Sequence, residues 1–212
     1  MTRFIIIRHG FSQGNKEKRF SGQMDVPLDA VGVSQARSIA RYILENYKVD
    51  CVYASDLCRA YDTVKPIADA LDLPVIKEPL LREVDVGRWQ GMLIEDVKRL
   101  FPESFERYRA TPGLARFDGG EGYIDVMERG KRALAKIAAE HDGETVLIGT
   151  HGGVIRTMRA AWAGTDLAQI QEIPHVPNAS TTVVEYENGN VRPIMIGYDA
   201  YLEDKTTEEG IK

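Results

Sequence analysis

The sequence has little cysteine: two residues in 212, Cys51 and Cys58. Their spacing suits neither a zinc site nor a redox CxxC pair, so they read as two buried thiols in a reducing compartment. Long apolar runs are missing too. None approaches the roughly 18 residues of a transmembrane helix, and the run near the start, Phe4 to Ile7, is too short for the core of a signal peptide. Nor is there a basic excess: Lys plus Arg is 27 against 32 for Asp plus Glu, a net charge of -5. That balance argues against a dedicated nucleic-acid binder. It leaves a small anionic substrate open, because a few local arginines outweigh a mildly acidic surface. Low-complexity segments, solenoid repeats and a His-Glu-x-x-His pair are absent as well. The expectation is a soluble cytoplasmic protein with neither nucleic acid nor membrane as partner.

What is present suits a globular α/β protein. The apolar fraction is 43% and the charged fraction 28%, ordinary values for a soluble domain. A chain of this length buries roughly 70% of its unfolded surface and needs no disulfide or metal to hold it. One domain spanning 1–212 is expected, with an inserted cap at about 79–120 and a polar, flexible tail at 204–212. Phe4 to Ile7 is a continuous apolar run closed by Arg8-His9-Gly10, the pattern of a strand buried on both faces. Asp29 is placed to cap a helix carrying Val33, Ala36, Ala40, Ile43 and Leu44 at helical spacing. Cys51 to Ala54 reads as a second strand. Ser55 or Asp56 then caps a helix with Leu57, Ala60, Val64, Ile67 and Leu71 on one face, which Pro66 should kink. Val75 to Lys77 is a third strand.

The stretch from Pro79 to Gly120 is too long for a bare loop in a compact domain, so a helical insertion or lid is expected there. Tyr123, Met127, Gly130, Leu134 and Ile137 restore a helical stripe. Thr145 to Gly149 is another buried strand, followed by His151-Gly152-Gly153 and an apolar helix from Val154 to Trp162. Thr181 to Tyr186 and Val191 to Ile196 flank Asn188-Gly189, a hairpin signal, and Pro193 puts the last strand at a sheet edge. Strands alternating with helices predict a three-layer α/β/α sandwich, its sheet mostly parallel with an antiparallel strand at one edge.

Ligands in such sheets bind beyond the carboxyl ends of the strands. Two buried strands here each end in histidine and glycine, at His9-Gly10 and His151-Gly152. In a parallel sheet both histidines project from one rim. Arg8 lies beside the first, and Arg59 opens the helix after the Val52 strand on the same rim. Two imidazoles and two guanidiniums around one spot make an anion site, because the planar fork of arginine matches phosphate oxygens. Either histidine taken alone reads as structural. Their doubling, with flanking arginines and no carboxylates at ligand spacing, favours phosphate chemistry over a metal site.

The sequence resembles the histidine phosphatase superfamily, also called the phosphoglycerate mutase-like family, over most of its length. Arg8-His9-Gly10-Phe11-Ser12-Gln13-Gly14-Asn15 is similar to that family's RHGxTxxN signature, with Ser12 for the commoner threonine. Phe20 to Leu28 resembles FxGxxDxPL, continued by Gly32 and Gln35-Ala36. Ser55 to Thr63 resembles SxLxRAxQT, with Asp62 in place of glutamine. Leu81-Arg82-Glu83 and Gly87-Arg88-Trp89-Gln90-Gly91 resemble LxE and GxWEG, and Thr150-His151-Gly152-Gly153 matches the second histidine motif. The resemblance implies two-step phosphoryl transfer without metal or cofactor. His9 would attack phosphorus and become phosphohistidine. Arg8, Arg59 and His151 would hold the equatorial oxygens, and Asn15 would add a neutral donor. Glu83 would protonate the leaving alkoxide and then deprotonate the hydrolytic water, with Asp85, two residues on, a weaker candidate for that acid. Gly10, Gly152 and Gln23 would border the substrate, though Gln23 and Asn178 read equally well as turn residues. The basic loop Lys16, Lys18 and Arg19 reads as solvated surface. Arg107, Tyr108, Arg109, Arg116 and Phe117 in the lid would read the rest of a small phosphorylated substrate.

Three functions fit this pattern: a phosphomonoester hydrolase, a cofactor-dependent phosphoglycerate mutase, and a binding module without chemistry. Mutases of the family carry a Glu-Arg-His-Tyr-Gly-like segment at Glu83, whereas this chain has Glu83-Val84-Asp85-Val86-Gly87-Arg88-Trp89. That departure points to the phosphatase branch. The binding-module reading needs a missing catalytic group, and none is missing.

Overall fold

The computed structural model describes residues 1–203; the polar stretch at 204–212 lies outside them. Strand β1 (Thr2–Arg8) is followed by a one-turn helix α1 (Gln13–Lys16) and by α2 (Ala30–Asn46). Then come β2 (Cys51–Ala54), α3 (Cys58–Ala70) and β3 (Val75–Lys77). After an irregular segment carrying α4 (Ile94–Leu100) and α5 (Pro102–Ala110), the chain forms α6 (Tyr123–Glu140), β4 (Thr145–Thr150) and α7 (Gly152–Ala163). The hairpin β5 (Thr181–Glu187) and β6 (Asn190–Tyr198) completes it. Among the described residues no helix is long and apolar enough to cross a membrane.

The strands form one sheet in the order β3-β2-β4-β1-β5-β6. β1, β2, β3 and β4 are mutually parallel, and β5 runs against β1. The antiparallel hairpin β5-β6 lies at one edge of this otherwise parallel sheet, as expected; β6 takes the outermost place, and Pro193 lies on it. Alternation along the strands splits the core in two. Ile5, Ile7, Val52 and Leu147 face Ile39, Ile43, Val64 and Ile67 of α2 and α3. Phe4, Ile6, Val146 and Ile148 face Val126, Leu134, Ile137, Ile155 and Met158 of α6 and α7. Period-2 strands against period-3.6 helices give the three layers.

Two local expectations need correcting. Neither Ser55 nor Asp56 caps α3: the N-cap is Leu57, with no side-chain bond. Ser55 bonds His151, Asp56 forms a two-pronged pair with Arg82, and Asp25 from a distant turn accepts the first helical amide, Cys58 N–H, at 2.6 Å. Pro66 lies inside the element, which runs on from Cys58 to Ala70. The bond it omits would have gone to the carbonyl of Asp62, an exposed residue. Cys51 and Cys58 are free and half-buried rather than buried.

The segment at 79–120 does fold as short helical pieces, and its aromatic residues extend the core on the α6 and α7 face of the sheet. Trp89 meets Phe20, Phe105, Tyr108 and Phe117 with ring centroids 5.1 to 6.1 Å apart. Packing of this kind fixes the insertion over the sheet's carboxyl rim, next to the crevice between β1 and β4. The connections after these two strands leave to opposite faces, so the crevice is a topological switch point.

Candidate active site

The register between β1 and β4 pairs Arg8 with Thr150, so His9 and His151 leave the sheet side by side. Their ring centroids are 5.2 Å apart. Next along the sheet, β2 pairs Ala54 with Gly149. Ser55 thus arrives beside the second histidine, its Oγ 2.8 Å from His151 Nε2. The carbonyl of Gly10 lies 2.7 Å from His9 Nδ1. A carbonyl only accepts, so Nδ1 carries the ring proton and Nε2 keeps its lone pair. Gly10 N–H is anchored on Thr63 Oγ1, and Thr63 on the Arg59 carbonyl. The nucleophile loop and the arginine helix are thereby tied together.

Arg59 is 1% exposed. Its guanidinium donates to the carbonyls of Met24 and Gly22 at 2.8 and 2.7 Å, which is why the segment at 20–28 follows the sheet's rim. Arg8 donates to the Val176 carbonyl at 2.7 Å, and its guanidinium lies against Gly152. A Cβ there would come within 3.1 Å of Arg8 Nε. Glu83 enters from the insertion. Its carboxylate accepts from Val84 N–H at 2.9 Å and from Gly153 N–H at 3.1 Å, at the start of α7. A side chain at Gly153 would strike it, with Glu83 Oε1 2.4 Å from an added Cβ. The two glycines after His151 are thus the room for Arg8 and Glu83.

Arg8, His9, Arg59, Glu83, Asn15, Gly152 and Asn178 line one cavity of about 650 Å³. Asn15 Oδ1 accepts from Ser12, and Asn178 donates to the His9 carbonyl at 3.0 Å. Other predicted residues lie elsewhere. His151, beside His9, is fully buried and does not itself line the cavity. Gln23 is spent outside the cavity, donating to the Glu83 carbonyl. Asp85 faces away, accepting from Gly87 N–H. Of the lid candidates, Tyr108, Arg109 and Phe117 line the cavity, as does Arg19 from the basic loop. Arg107 and Arg116 instead meet Ser104 and Asp125.

Tyr123, Arg156 and His175 also line the cavity, and sequence reasoning missed all three. Tyr123 and Arg156 sit on helices whose apolar stripe absorbed them. His175 follows Pro174 and precedes Val176-Pro177, and only the prolines hinted at a fixed loop.

The electrostatics suit a nucleophile. Burial, with the charges of Arg59 and Arg8, holds His9 well below the usual histidine range. His151 is lowered for the same reasons, burial first. Both rings are therefore neutral when folded and protonate near 6.5 when unfolded. The unfolded chain binds more protons below 6.5, so stability falls as pH drops through that value, by about 1.4 kcal/mol per pH unit for each ring. Urea unfolding at pH 7.5 and 5.5 should show this loss, and His9→Gln should remove about half the slope. A pH-independent midpoint would contradict the neutral-imidazole assignment.

Residues 4–197 match the family model for the histidine phosphatase superfamily, branch 1. The chain is 35% identical to phosphoserine phosphatase 1 of Hydrogenobacter thermophilus over 88% of each chain. It is 34% identical to the metal-independent phosphoserine phosphatase of Arabidopsis thaliana, over 87% of this chain and 76% of that one. Among solved structures, YhfR of Bacillus stearothermophilus superposes with a TM-score of 0.91 at 30% identity, covering 96% of this chain and all of the other. A mycobacterial glucosyl-3-phosphoglycerate phosphatase complexed with VO3 superposes at 0.84 with 27% identity, covering 93% and 99%. The chain belongs to the histidine phosphatase superfamily, branch 1, and is a phosphoric monoester hydrolase.

Proposed function

We propose that the protein hydrolyses small phosphomonoesters without a metal, through a phosphohistidine on His9 Nε2. The observation that carries this reading is the side-by-side placement of His9 and His151 with Arg8 and Arg59, faced by the Glu83 carboxylate. Arg8 and Arg59 bind the phosphoryl oxygens and neutralise charge as the bonds rearrange. His151 Nδ1 is buried with no hydrogen-bond partner among the described residues. A Ser55 hydroxyl donating to Nε2 leaves Nδ1–H to meet a phosphoryl oxygen, which supplies the partner a buried donor requires. Asn15 adds a polar edge beside the loop after His9. Glu83 gives a proton to the departing alcohol, and its carboxylate then takes one from the water that attacks phosphohistidine.

The free thiols and the acidic charge balance support a cytoplasmic enzyme acting on metabolites rather than on nucleic acid. The names of the relatives make phosphoserine and glucosyl-3-phosphoglycerate the first esters to try. Inorganic phosphate release from these and from p-nitrophenyl phosphate should persist in EDTA. Release abolished by EDTA and restored by a divalent cation would overturn the metal-free mechanism.

A further inference from the structure

Glu83 hangs from backbone with no regular structure of its own: residues 82–86 are neither helix nor strand. A general acid must nonetheless stay within hydrogen-bond reach of the leaving oxygen, and a displacement of about 1 Å can cost on the order of 10²-fold in rate. Bonds from Val84 N–H and Gly153 N–H orient the carboxylate. They do so without fixing the main chain that carries it.

A buried ion pair outside the cavity grips that main chain. Arg129 lies on the face of α6 that buries Val126 and Ala133, and it is 7% exposed. Its Nε and Nη2 donate to the two carboxylate oxygens of Glu121 at 2.8 and 3.0 Å, a two-pronged pair. The same guanidinium turns to the acid's own segment. Nη1 donates to the Leu80 carbonyl at 2.8 Å, and Nη2 to the Glu83 carbonyl at 2.9 Å. Glu121 takes the other side: its Oε2 accepts from Asp85 N–H at 2.9 Å, and its own N–H donates to the Asp85 carbonyl at 2.8 Å. Gly120 permits that approach, since an added Cβ there would lie 2.2 Å from the Asp85 carbonyl oxygen. Thr150, the residue before His151, adds a bond to the Leu81 carbonyl at 2.8 Å. Neither Arg129 nor Glu121 lines the cavity.

A buried ion pair is a weak source of stability, because desolvation offsets its attraction. What a fork-to-fork pair supplies is direction. Among the described residues, the main-chain bonds made by these two side chains all fall within 80–85, on both sides of Glu83. We propose that Arg129 and Glu121 are positioning residues for the general acid: together they fix the backbone from which Glu83 reaches the leaving oxygen, while touching neither substrate nor reacting atoms. The assignment rests on the phosphatase reading above.

The test uses the full chain with Arg129→Lys, which keeps the charge and loses the fork, and with Glu121→Gln, which keeps the size and loses the charge. For the alkyl ester that the wild type hydrolyses fastest, each should lower kcat roughly 10- to 100-fold at nearly constant KM, the cost of a misplaced catalytic group. Phosphoryl transfer from p-nitrophenyl phosphate to His9, followed in a single turnover, should stay close to wild type, because that alcohol leaves without a proton. Vanadate should bind each variant with wild-type affinity and stoichiometry. A double-mutant cycle then separates positioning from general support. Added to Glu83→Gln, Arg129→Lys should cost at most about 2-fold more in kcat, since no acid is left to position. Equal losses on alkyl and aryl esters, full additivity with Glu83→Gln, or loss of the vanadate site in both variants would overturn the assignment and make the pair a support of the fold. Phosphate release from no ester by the wild type would remove the phosphatase reading itself, and this inference with it.

Discussion

His9→Ala is expected to lower kcat for every phosphomonoester by at least ~10⁴-fold, the scale on which enzymes lose turnover with their nucleophile. The argument begins with the ring's tautomer. Gly10 O takes the Nδ1 proton, leaving Nε2 as an unprotonated nitrogen. Burial and two flanking arginines then keep the whole ring neutral near pH 7. Those guanidiniums serve twice, since the charges that disfavour imidazolium also attract the phosphate dianion. A nucleophile is thereby ready before substrate arrives. In the variant, Arg8 and Arg59 remain held by carbonyls of Val176, Met24 and Gly22, none of which depends on the imidazole. Binding of inorganic phosphate should accordingly weaken by less than about 10-fold, within the worth of one lost hydrogen bond. The second readout is covalent. Rapid acid-free quenching should trap phosphate on the wild-type chain and none on His9→Ala. Turnover within 10-fold of wild type, or label persisting in the variant, would move the nucleophile elsewhere.

The sheet's rim was legible in the sequence because the chemistry there is written into strand ends. A buried run such as Phe4 to Ile7 fixes where β1 stops, and the residue after it must sit on the rim. Parallel register then brings His9 and His151 together without further information. Glu83 was placed by motif alone, since the segment around it is neither strand nor long helix. Its position comes from contacts distant in sequence: Arg129 and Gln23 on its carbonyl, Gly153 on its carboxylate. Capping of α3 was misread for a similar reason. Ser55 and Asp56 are good caps locally, but each found a partner far away in the chain, and Asp25 took the role instead. Gln23 fell in a matched motif, yet it serves the backbone behind the acid rather than the substrate. Arg156 was hidden by its helix, because a periodic apolar stripe says which face is buried and not what a charged residue at its margin touches.

Glu83→Gln should separate the two proton transfers. The amide keeps the size of the carboxylate, and its one oxygen can still accept from Gly153 N–H, at the cost of the bond from Val84 N–H. It can no longer donate an acidic proton or accept one from water. For an alkyl ester such as phosphoserine or 3-phosphoglycerate, the departing alkoxide needs that proton, and kcat should fall by roughly 10²- to 10⁴-fold, the usual contribution of a general acid. An activated aryl alcohol leaves without it. With p-nitrophenyl phosphate, His9 should therefore still be phosphorylated at a substantial rate, while hydrolysis of the phosphohistidine is slowed for want of a base. The expected trace is a burst of nitrophenol close to one equivalent per active site, then a slow steady state. Because Arg8 and Arg59 are untouched, vanadate should bind the variant nearly as well as the wild type. Parallel losses of vanadate affinity and turnover would make Glu83 a structural support for the phosphoryl site. A variant slowed equally on alkyl and aryl esters, without a burst, would place the acid on another residue.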